Sequence, residues 1–305
     1  MPGGPHNVLV FAGPTASGKS ALALEAAREN DGVVTNADSL QVYDALPLLT
    51  ARPSAGEQEG IPHRLYAALS PDLRCSAALW RDLALTEIDA ALEAGRTPVL
   101  AGGTGLYLKA LIEGLSPLPA VAPEIREAAN ALQAGLGNPG FHGALAARDP
   151  VMAARLNPND TQRLIRAWEV FEATGQSLSE WQSLPPEGAP AHLRFHIFIL
   201  MPEREALYER CNRRFDSMMQ AGALEEVRAL DALIATNAVP KDAHITQALG
   251  FRALQAHLRG SMSLEDAIIR AKTDTRQYAK RQATWFRHQI RPHPAIFRIE
   301  TLVPY

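Results

Sequence analysis

Short apolar runs alternate with amphipathic helical patterns in the first third of the chain. The runs at 8–12, 32–37 and 97–101 have the length of strands, and the segments at 21–28 and 76–95 carry apolar residues at helical spacing. Strands that alternate with helices in this way are typical of a parallel sheet flanked by helices. The pattern therefore predicts an α/β fold for this part of the chain.

Proline-rich boundaries separate the middle of the chain from the rest. Prolines cluster at 117–119 and at 185–186, and helical patterns lie between them at 123–136 and 161–174. Such boundaries predict an inserted helical subdomain. We therefore expect three consecutive parts, which are the first part of an α/β core at 1–115, a helical insertion at 116–190, and the completion of the core with basic helices at 191–305.

One helix of the insertion combines an apolar and a basic face. Leu164, Trp168 and Phe171 have helical spacing, and we interpret them as core residues rather than as a platform for stacked bases. Arg163 and Arg166 lie three positions apart on one face, which fits either a grip on phosphate or a solvated basic face.

The last third of the chain returns to the sheet and then becomes helical. The run at 195–200 predicts a strand, with His196 as a satisfied core histidine. Pro202 suits the first turn of the next helix. The apolar residues of that helix are Leu207, Cys211, Phe215 and Met218. A final helix at 264–290 has an apolar stripe made of Leu264, Ile268, Ala271, Tyr278 and Trp285.

Basic residues concentrate near the end of the chain, where Asp274 is the one acidic residue between 270 and 298. Lys272, Arg276 and Lys280 follow one another at four-residue spacing, where like charges destabilise a helix by roughly 0.2–0.5 kcal/mol per pair. Because the whole chain has a net charge of −3, this local concentration indicates a polyanionic partner, and a solvated basic helix is the alternative. The basic residues of this region are Arg270, Lys272, Arg276, Lys280, Arg281, Arg287, Arg291 and Arg298.

Composition argues against several other classes of protein. The chain has 305 residues and two distant cysteines, Cys75 and Cys211, so neither a disulfide framework nor a zinc module is expected. Its start lacks a signal-peptide pattern, and no apolar run reaches about 18 residues. We expect a cytoplasmic, monomeric protein that does not enter a membrane.

The segment 13–20, Gly-Pro-Thr-Ala-Ser-Gly-Lys-Ser, lies between the first predicted strand and the first predicted helix. It fits the pattern Gly-x4-Gly-Lys-Ser/Thr. In such a P-loop the backbone N–H groups and the helix N-terminus attract phosphate, Lys19 adds a positive charge, and the Ser20 hydroxyl can bind Mg²⁺. We therefore predict a diphosphate or triphosphate site made of Gly13, Pro14, Thr15, Ala16, Ser17, Gly18, Lys19 and Ser20.

Two further polar residues follow predicted strands. Asp38 comes directly after the run at 32–37, where an open α/β sheet has its ligand chemistry, although a turn or cap role fits equally well. Thr104 lies in a second glycine-rich junction, Gly-Gly-Thr-Gly, and is either a site hydroxyl or a solvated turn residue. After Leu100 the chain lacks the strand-terminal Asp that supports Mg²⁺ in nucleotide-hydrolysing P-loop enzymes. The chain thus departs from ordinary P-loop NTPases.

Seven short motifs follow one another along nearly the whole chain. They are the P-loop at 13–20, Ala-Asp-Ser-Leu-Gln-Val-Tyr at 37–43, Ile-Pro-His-Arg at 61–64, Gly-Gly-Thr-Gly-Leu-Tyr at 102–107, Asn-Asp-Thr-Gln-Arg at 159–163, Leu-Gly-Phe-Arg at 249–252 and Thr-Arg-Gln-Tyr-Ala-Lys-Arg-Gln-x-Thr-Trp-Phe-Arg at 275–287. Each later motif is weak alone, but the ordered set is highly specific. It resembles the tRNA dimethylallyltransferase family.

This resemblance implies a P-loop NTPase-like fold and a reaction. The implied reaction moves a dimethylallyl group from dimethylallyl diphosphate to the exocyclic N6 of the adenine just 3′ of the tRNA anticodon. The implied catalytic residues are Lys19, which holds the diphosphate together with the P-loop and Mg²⁺ on Ser20, Asp38, which is the general base, and Thr104, which contacts substrate near the reacting atoms.

The resemblance also implies a set of residues that hold the anticodon stem-loop, with the basic C-terminal helix on the RNA backbone. These residues are Asp38, Ser39, Leu40, Gln41, Thr104, Arg126, Gln162, Arg163, Leu164, Ile165, Arg166, Gln247, Ala248, Leu249, Gly250, Phe251 and Arg252.

The chain departs from the family pattern at 49–53, where Leu-Thr-Ala-Arg-Pro replaces a segment similar to Gly-Thr-Ala-Lys-Pro. The missing glycine puts the local turn in question. No zinc finger follows the last helix, which is typical of bacterial members of the family.

Two other readings of the residues stay open. A small P-loop kinase would use Asp38 to bind an acceptor hydroxyl, but it leaves the basic helix unexplained. An RNA-binding ATPase is disfavoured because no strand-terminal Asp follows Leu100.

Overall fold

Six parallel strands form one sheet in the computed structural model, which describes residues 4–188, 190–290 and 296–299. The order across the sheet is β3-β2-β4-β1-β5-β6. The strands are β1 (His6–Ala12), β2 (Gly32–Asn36), β3 (His63–Arg64), β4 (Thr97–Gly102), β5 (Leu193–Leu200) and β6 (Ile296–Ile299). The predicted α/β fold with a parallel sheet flanked by helices is confirmed.

Helices lie in the connections between consecutive strands, except between β2 and β3. They are α1 (Lys19–Glu29), α2 (Ala77–Glu93), α3 (Gly105–Glu113), α4 (Pro123–Arg148), α5 (Pro150–Ala153), α6 (Thr161–Thr174), α7 (Leu178–Ser183), α8 (Arg204–Gln220), α9 (Ala223–Ala235), α10 (Phe251–Leu258) and α11 (Leu264–Gln289), with a short 3₁₀ helix at His244–Gln247. Helix α2 is capped at both ends, because the Ser76 side chain accepts a hydrogen bond from the Leu79 N–H and Gly95 follows the helix with a φ of 72°.

The chain forms two compact units. One consists of Met1–Ile112 and Pro190–Tyr305 and contains the sheet, and the other is the helical unit Glu113–Ala189. Strands β1, β2 and β4 are adjacent in the sheet, and their register aligns Ala12 with Gly102 and Asn36 with Ala101. The carboxyl ends of these three strands therefore meet at one edge, where an open α/β sheet binds its ligands.

Helix α2 is anchored to the sheet by Trp80. This side chain is fully buried and stacks on Tyr107, with 4.7 Å between ring centroids. Its Nε1 donates a hydrogen bond of 2.9 Å to the backbone oxygen of Asn36, the last residue of β2. A buried indole satisfies its single donor in this way, and here the bond also fixes the end of the strand.

The helical unit has its own apolar core. Leu164 is fully buried there and Trp168 packs against the cluster, so their interpretation as core residues is confirmed, whereas Phe171 is only half-buried. Helix α4 kinks at Gly137, whose φ of 65° and ψ of 173° are not helical. The helix predicted at 123–136 therefore continues beyond this kink to Arg148.

The predicted apolar stripe of α11 is confirmed at Ala271, which is buried, and at Ile268 and Trp285, which pack against the core, but not at Leu264. Leu264 is 37% exposed, whereas the buried face is made mostly of small or polar side chains. Small residues let α11 pack closely on α8 and α10, and a search for large apolar residues at helical spacing misses them. The buried residues are Ala267, Ala271, Thr275, Ala279, Gln282 and Phe286.

Two smaller expectations also need correction. His196 is a partly exposed residue of the sheet, and its Nε2 lies 3.0 Å from Asn7 Oδ1. It is satisfied by a neighbouring strand but does not lie in the core. Pro202 precedes α8, whose first residue is Arg204, rather than lying in its first turn.

Among the described residues, no helix is long and apolar enough to cross a membrane.

The closest backbone approach at the carboxyl edge of the sheet leads to a stability prediction. A Cβ atom on Gly102 would lie 2.1 Å from the carbonyl carbon of Ala37. Because backbone atoms cannot move aside as a flexible side chain can, we expect Gly102→Ala to lower the free energy of unfolding by at least about 3 kcal/mol. Urea unfolding followed by circular dichroism measures this loss.

The matched control is Gly56→Ala, because Gly56 has open space where its Cβ would be. We expect that variant to stay within about 0.5 kcal/mol of the unsubstituted protein. Equal unfolding midpoints for the two variants would contradict the packing argument.

Candidate active site

The P-loop joins β1 to α1 with a backbone that only small residues accommodate. Gly13 packs so closely that a Cβ atom there would lie 2.5 Å from the backbone oxygen of Leu200. Ala16 and Gly18 have positive φ angles of 62° and 92°, and Gly18 is the N-cap of α1. This conformation turns the chain sharply into the helix N-terminus, as anion-binding loops do.

The Ser17 hydroxyl is buried and has no hydrogen-bond partner among the described residues. The side chain of this residue is 1% exposed. Buried polar groups are nearly always hydrogen-bonded, so such a hydroxyl indicates a missing partner. A phosphate oxygen held by the loop would supply that partner.

Two cations lie at the loop. Lys19 Nζ donates to the backbone oxygen of Pro14 at 3.2 Å, and the Arg214 guanidinium of α8 donates to the Thr15 hydroxyl. Burial lowers the pKa of Lys19 from 10.5 to about 8; the Asp38 carboxylate opposes this shift, and the nearby charge of Arg214 adds to it. The loop thus concentrates positive charge that an anion would stabilise. Sequence reasoning missed Arg214, because it lies on an ordinary-looking amphipathic helix far along the chain.

The backbone of Asp38 is held by the side chain of Asn36 at the end of β2. The side chain of Asn36, which is fully buried, accepts a hydrogen bond from the Asp38 N–H at 2.8 Å and donates to the Asp38 backbone oxygen at 3.0 Å. Oδ1 of Asp38 accepts from the N–H groups of Leu40 at 2.9 Å and Gln41 at 3.4 Å. Asp38 therefore has the turn role considered above, and its second carboxylate oxygen is not used in that turn.

Thr104 is a neighbour of Asp38. Its hydroxyl oxygen accepts a hydrogen bond of 2.9 Å from the Ser39 N–H, and its own N–H donates to the Ala37 oxygen at 3.2 Å. Since the hydroxyl accepts in this contact, its proton remains for another acceptor. The structure thus brings Lys19, Asp38 and Thr104 to one edge of the sheet.

Aromatic rings lie within electrostatic range of Asp38. Burial raises the pKa values of the phenols of Tyr66 and Tyr278, and the charge of Asp38 raises both further. The pKa of Tyr107 is raised mainly by burial, with a smaller contribution from Asp38. These phenols stay neutral at physiological pH, so Asp38 has weakly polar neighbours on several elements. No motif in the sequence marks Tyr66 as a member of this group.

Gln282 of α11 connects the two glycine-rich junctions. Its Oε1 accepts a hydrogen bond of 2.8 Å from the Thr15 N–H, and its Nε2 donates one of 2.9 Å to the Gly103 oxygen. The side chain is 7% exposed. A Cβ atom on Gly103 would lie 2.4 Å from the Gln282 Nε2, so glycine is needed there for this contact.

The segment that departs from the family pattern forms its turn without glycine. Leu49 is 4% exposed and its N–H donates to Glu226 Oε2 at 3.1 Å. The positive φ angles fall at Leu46 and Ala51, with values of 53° and 56°. The Gln41 side chain also donates to the Ala51 oxygen at 2.8 Å. A leucine at position 49 is therefore compatible with the turn, because that position does not need a left-handed backbone.

The residues predicted at 247–252 divide into two groups. The buried or partly buried residues are Ala248, Leu249, Gly250 and Phe251, and the exposed ones are Gln247 and Arg252. The Arg252 guanidinium donates to the Thr246 hydroxyl at 2.8 Å. Gln247 and Arg252 present their side chains to solvent, whereas the buried members support the local fold. Ser39 and Leu40 are partly buried beside Asp38.

In the helical unit, two predicted arginines share one buried carboxylate. Arg126 Nε lies 2.9 Å from Glu169 Oε1, and Arg166 lies 3.2 Å from Glu169 Oε2. The Glu169 side chain is 3% exposed, whereas those of the two arginines are 40% and 35% exposed. Arg163 instead pairs with Asp160 at 3.2 Å. Glu169 thus holds Arg126 and Arg166 in place, and part of each arginine side chain stays exposed.

The other predicted residues of this helix differ in exposure. Leu164 lies in the core, Ile165 packs against it, and Gln162 is exposed. Gln162 lines a surface groove of about 520 Å³ together with Asn157, Asn159, Asp160 and Thr161.

The basic stripe of α11 is partly neutralised by α8. Lys272 donates to Asp216 at 2.8 Å and Arg276 to Asn212 at 2.7 Å. Lys280 is exposed and has no hydrogen bond or ion pair with a described residue. The spacing of these charges therefore does not by itself require a polyanion.

A groove of about 550 Å³ lies beside the exposed end of that stripe. Its lining includes Lys280, Arg281, Trp285 and His288. Arg291, counted above with the basic residues, lies outside the described residues.

The start of α1 fits a magnesium ion that takes most of its coordinating oxygens from a bound phosphate group and from water. Ser20 is exposed at the second residue of the helix, and within the described ranges no group of three His, Cys, Asp or Glu could hold a metal. Mg²⁺ usually takes one or two protein ligands and completes its shell with phosphate oxygens and water. Ser20 would hold the magnesium ion through its hydroxyl.

The fold and the loop define a P-loop-type α/β protein, and comparisons with known proteins narrow this class. A model of the family described as IPP transferase matches residues 41–289. The tRNA dimethylallyltransferase of Paramagnetospirillum magneticum is 56% identical over 282 residues, which are 92% of this chain and 88% of the relative. That of Rhodospirillum centenum is 54% identical over 283 residues, 93% of this chain and 89% of the relative. The chain belongs to the IPP transferase family, in its bacterial form, and is an enzyme of that class.

Solved structures agree with this assignment. The full-length tRNA isopentenylpyrophosphate transferase of Bacillus halodurans has a TM-score of 0.66 and 32% identity, covering 97% of this chain and 90% of that one. A eukaryotic dimethylallyltransferase described as acting on tRNA has a TM-score of 0.77 and 28% identity, covering 92% of this chain and 70% of that one. These matches favour a transferase over the kinase and ATPase readings.

The lowered pKa of Lys19 predicts how diphosphate binding depends on pH. As the pH rises through about 8, Lys19 of the free protein loses its proton, and the loop loses a positive charge. We expect the Kd of inorganic diphosphate with Mg²⁺ to rise about tenfold more for the unsubstituted protein than for Lys19→Arg between roughly pH 7 and pH 9.5, because arginine stays charged throughout. Isothermal titration calorimetry gives both curves.

The comparison removes the ionisation of diphosphate itself, which affects both proteins equally. Parallel curves for the two proteins would show that Lys19 keeps its charge over this range and would contradict the prediction.

Proposed function

We propose that the chain transfers a dimethylallyl group from dimethylallyl diphosphate to N6 of the adenine adjacent to the 3′ side of the tRNA anticodon, releasing diphosphate. The observation that carries this proposal is that the P-loop cations and Asp38 lie at one edge of the sheet, with Asp38 close enough to affect the pKa of Lys19. A reaction between an anionic leaving group and a nucleophile that must lose a proton needs both kinds of group together. Membership of the IPP transferase family supports the same reaction.

The P-loop would hold the diphosphate. Its backbone N–H groups, the N-terminus of α1, Lys19 and Arg214 all favour an anion, and the Ser17 hydroxyl would gain an acceptor. These groups stabilise the charge that develops on the leaving diphosphate as the carbon–oxygen bond breaks. Mg²⁺, held by Ser20 and by diphosphate oxygens, would add positive charge at the same leaving group.

Asp38 would act on the nucleophile. The lone pair of adenine N6 forms a bond to the allylic carbon, the bond from that carbon to the diphosphate oxygen breaks with its electron pair on diphosphate, and a proton of N6 passes to the Asp38 carboxylate. The carboxylate oxygen that is not used in the turn is available for this step. The Thr104 hydroxyl, whose proton is free to donate, would bind substrate beside it.

The aromatic neighbours of Asp38 suit the organic part of the donor. Tyr66 and Tyr278 are partly buried phenols within electrostatic range of Asp38, and aromatic rings beside the donor would stabilise positive charge such as that which develops on an allylic carbon.

The anticodon loop must deliver its adenine unstacked, because a stacked base does not reach a site at a sheet edge. Among the predicted contacts, Arg126, Arg166, Gln162, Gln247 and Arg252 keep exposed or half-exposed side chains. Their donors fit phosphate and base edges, and such phosphate contacts would orient the loop while the pocket selects the base. The eukaryotic structure described as acting on tRNA supports this class of substrate.

The test is incubation of the purified protein with Mg²⁺, dimethylallyl diphosphate and unmodified tRNAs of several anticodons, followed by mass analysis of the digested nucleosides. We expect adenosine to gain one dimethylallyl group, and the product to be absent without donor. No modified nucleoside with any of these tRNAs, together with phosphate release from ATP, would replace this proposal with the kinase or ATPase reading.

Asp38→Asn tests the general base while preserving the turn, because the amide oxygen still accepts from the Leu40 N–H. We expect turnover to fall on the order of 10²-fold or more, the range typical of general-base loss, and Asp38→Ala to fall at least as far. Diphosphate affinity at about pH 6.5, where Lys19 keeps its proton, should change by less than about threefold, because the P-loop itself is intact. Single-turnover kinetics and calorimetry measure the two quantities.

The control is Asp44→Asn, an exposed carboxylate in the same loop. It should keep the unsubstituted rate. Full turnover by Asp38→Asn would remove Asp38 from the mechanism.

A further inference from the structure

Gln282 adds a side-chain connection between the P-loop and the junction that carries Thr104, beyond the pairing of β1 with β4. Its Oε1 accepts the Thr15 N–H of the P-loop, and its Nε2 donates to the oxygen of Gly103, directly before Thr104. It is separated from these partners by 267 and 179 residues along the chain. One side chain thus bonds to both glycine-rich junctions.

The second junction in turn carries the contacts of Asp38. The Thr104 N–H bonds to Ala37, and the Thr104 hydroxyl accepts from the Ser39 N–H, so residues on both sides of Asp38 are tied to it. A displacement of Gly103 would move Thr104 and then Asp38. Gln282 therefore affects the distance between the P-loop and Asp38 without touching either reacting group.

The surroundings of Gln282 keep it in this one arrangement. The side chain is 7% exposed, and its helix packs on both junctions. Ala279, one turn earlier on α11, packs with Cys211 against Ala16 of the P-loop, and Gly105 approaches the ring of Trp285 so closely that a Cβ would overlap it. A buried amide with both ends bonded is a rigid spacer.

We propose that Gln282 is a positioning residue that sets the separation between the bound diphosphate and the amine held at Asp38. This inference rests on the proposed transfer reaction. Reacting atoms must approach to about 3–3.5 Å, and a displacement of about 1 Å is enough to lower a rate on the order of 10²-fold. The diphosphate itself is held by other groups, namely the loop N–H groups, Lys19 and Arg214.

The test uses Gln282→Met, which keeps the length and approximate volume of the side chain and removes both hydrogen bonds. We expect the single-turnover rate at saturating donor and tRNA to fall on the order of 10²-fold, while the Kd of inorganic diphosphate with Mg²⁺ changes by less than about threefold. The matched control is Gln255→Met on α10. Gln255 is 6% exposed and donates to Asp231 at 2.8 Å, so its replacement also removes a buried amide. We expect it to keep the unsubstituted rate.

Gln282→Glu supplies a rescue that a purely structural role would not give. A protonated carboxyl has one oxygen that accepts and one O–H that donates, as the amide does, whereas an ionised one repels the Gly103 oxygen. Burial favours the neutral form of such a carboxyl. We therefore expect the rate of Gln282→Glu, divided by that of the unsubstituted protein at the same pH, to recover at least about fivefold as the pH falls from about 8 to about 6, with the variant fully folded at the assay temperature at both pH values.

Rate and diphosphate affinity that fall equally in Gln282→Met would overturn the proposal, because Gln282 would then only shape the P-loop. An unchanged rate would overturn it too, as would a rate ratio for Gln282→Glu that does not vary with pH. Failure of the transfer reaction itself is distinguishable, since the unsubstituted protein would then modify no tRNA. In that case Gln282 positions no reacting groups, even if Gln282→Met binds diphosphate with unchanged affinity. The positioning role is then rejected together with the proposed function.

Discussion

The hydrogen bonds between residues 37–39 and 101–104 are the constraint on which the rest of the site depends. Ala37 donates to the Ala101 oxygen at 2.8 Å and accepts from Thr104, and the Thr104 hydroxyl accepts from Ser39. Pairing between β2 and β4 thus continues past the ends of both strands. Asp38 lies inside this extension, so its position is set by backbone geometry. Backbone support of this kind is more rigid than an arrangement of exposed side chains, and the role of proton acceptor that we propose for Asp38 needs such rigidity.

The electrostatics of the P-loop follow from the same compact packing. Helices α8 and α11 cover the loop, and this burial removes water from Lys19 while bringing Arg214 to the same loop. Two like charges in a partly desolvated site repel each other until an anion binds. Folding therefore supplies part of the free energy needed to bring these cations together at the anion site. This arrangement favours a diphosphate over a neutral ligand, and it needs no carboxylate after β4 because no γ-phosphate is hydrolysed in the proposed reaction.

The sequence was sufficient for the parallel α/β fold, since the strands β1, β2, β4 and β5 are short, mainly apolar runs between helical patterns. Strand β3 has two residues and carries no periodic signal, so it could not be found in this way. The P-loop, Asp38 and Thr104 could be picked out because each follows a strand at a glycine-rich or polar junction. The helices that cover the P-loop could not, because their contacts join positions some 200 residues apart.

Gln282 and Arg214 illustrate that limit in physical terms. Gln282 lies in the motif at 275–287 and Arg214 lies in none, but neither contact could be predicted, because burial depends on which partner the helix meets. The buried face of α11 was predicted only in part for the same reason, since alanine and threonine form much of it. Local patterns predict elements well, but the partners of an element depend on the whole chain.

The charges of the helical unit show why a count along one helix is a weak guide to binding. Arg163 and Arg166 share a face in sequence, yet one pairs with Asp160 and the other with Glu169, which also binds Arg126. A single buried carboxylate between two arginines leaves a net positive charge and restricts the motion of both guanidinium groups. For a ligand with many phosphates this arrangement is favourable, because less side-chain entropy is lost on binding than with two freely moving arginines. The arrangement in space therefore supports an RNA contact at Arg126 and Arg166 more strongly than the number of basic residues does.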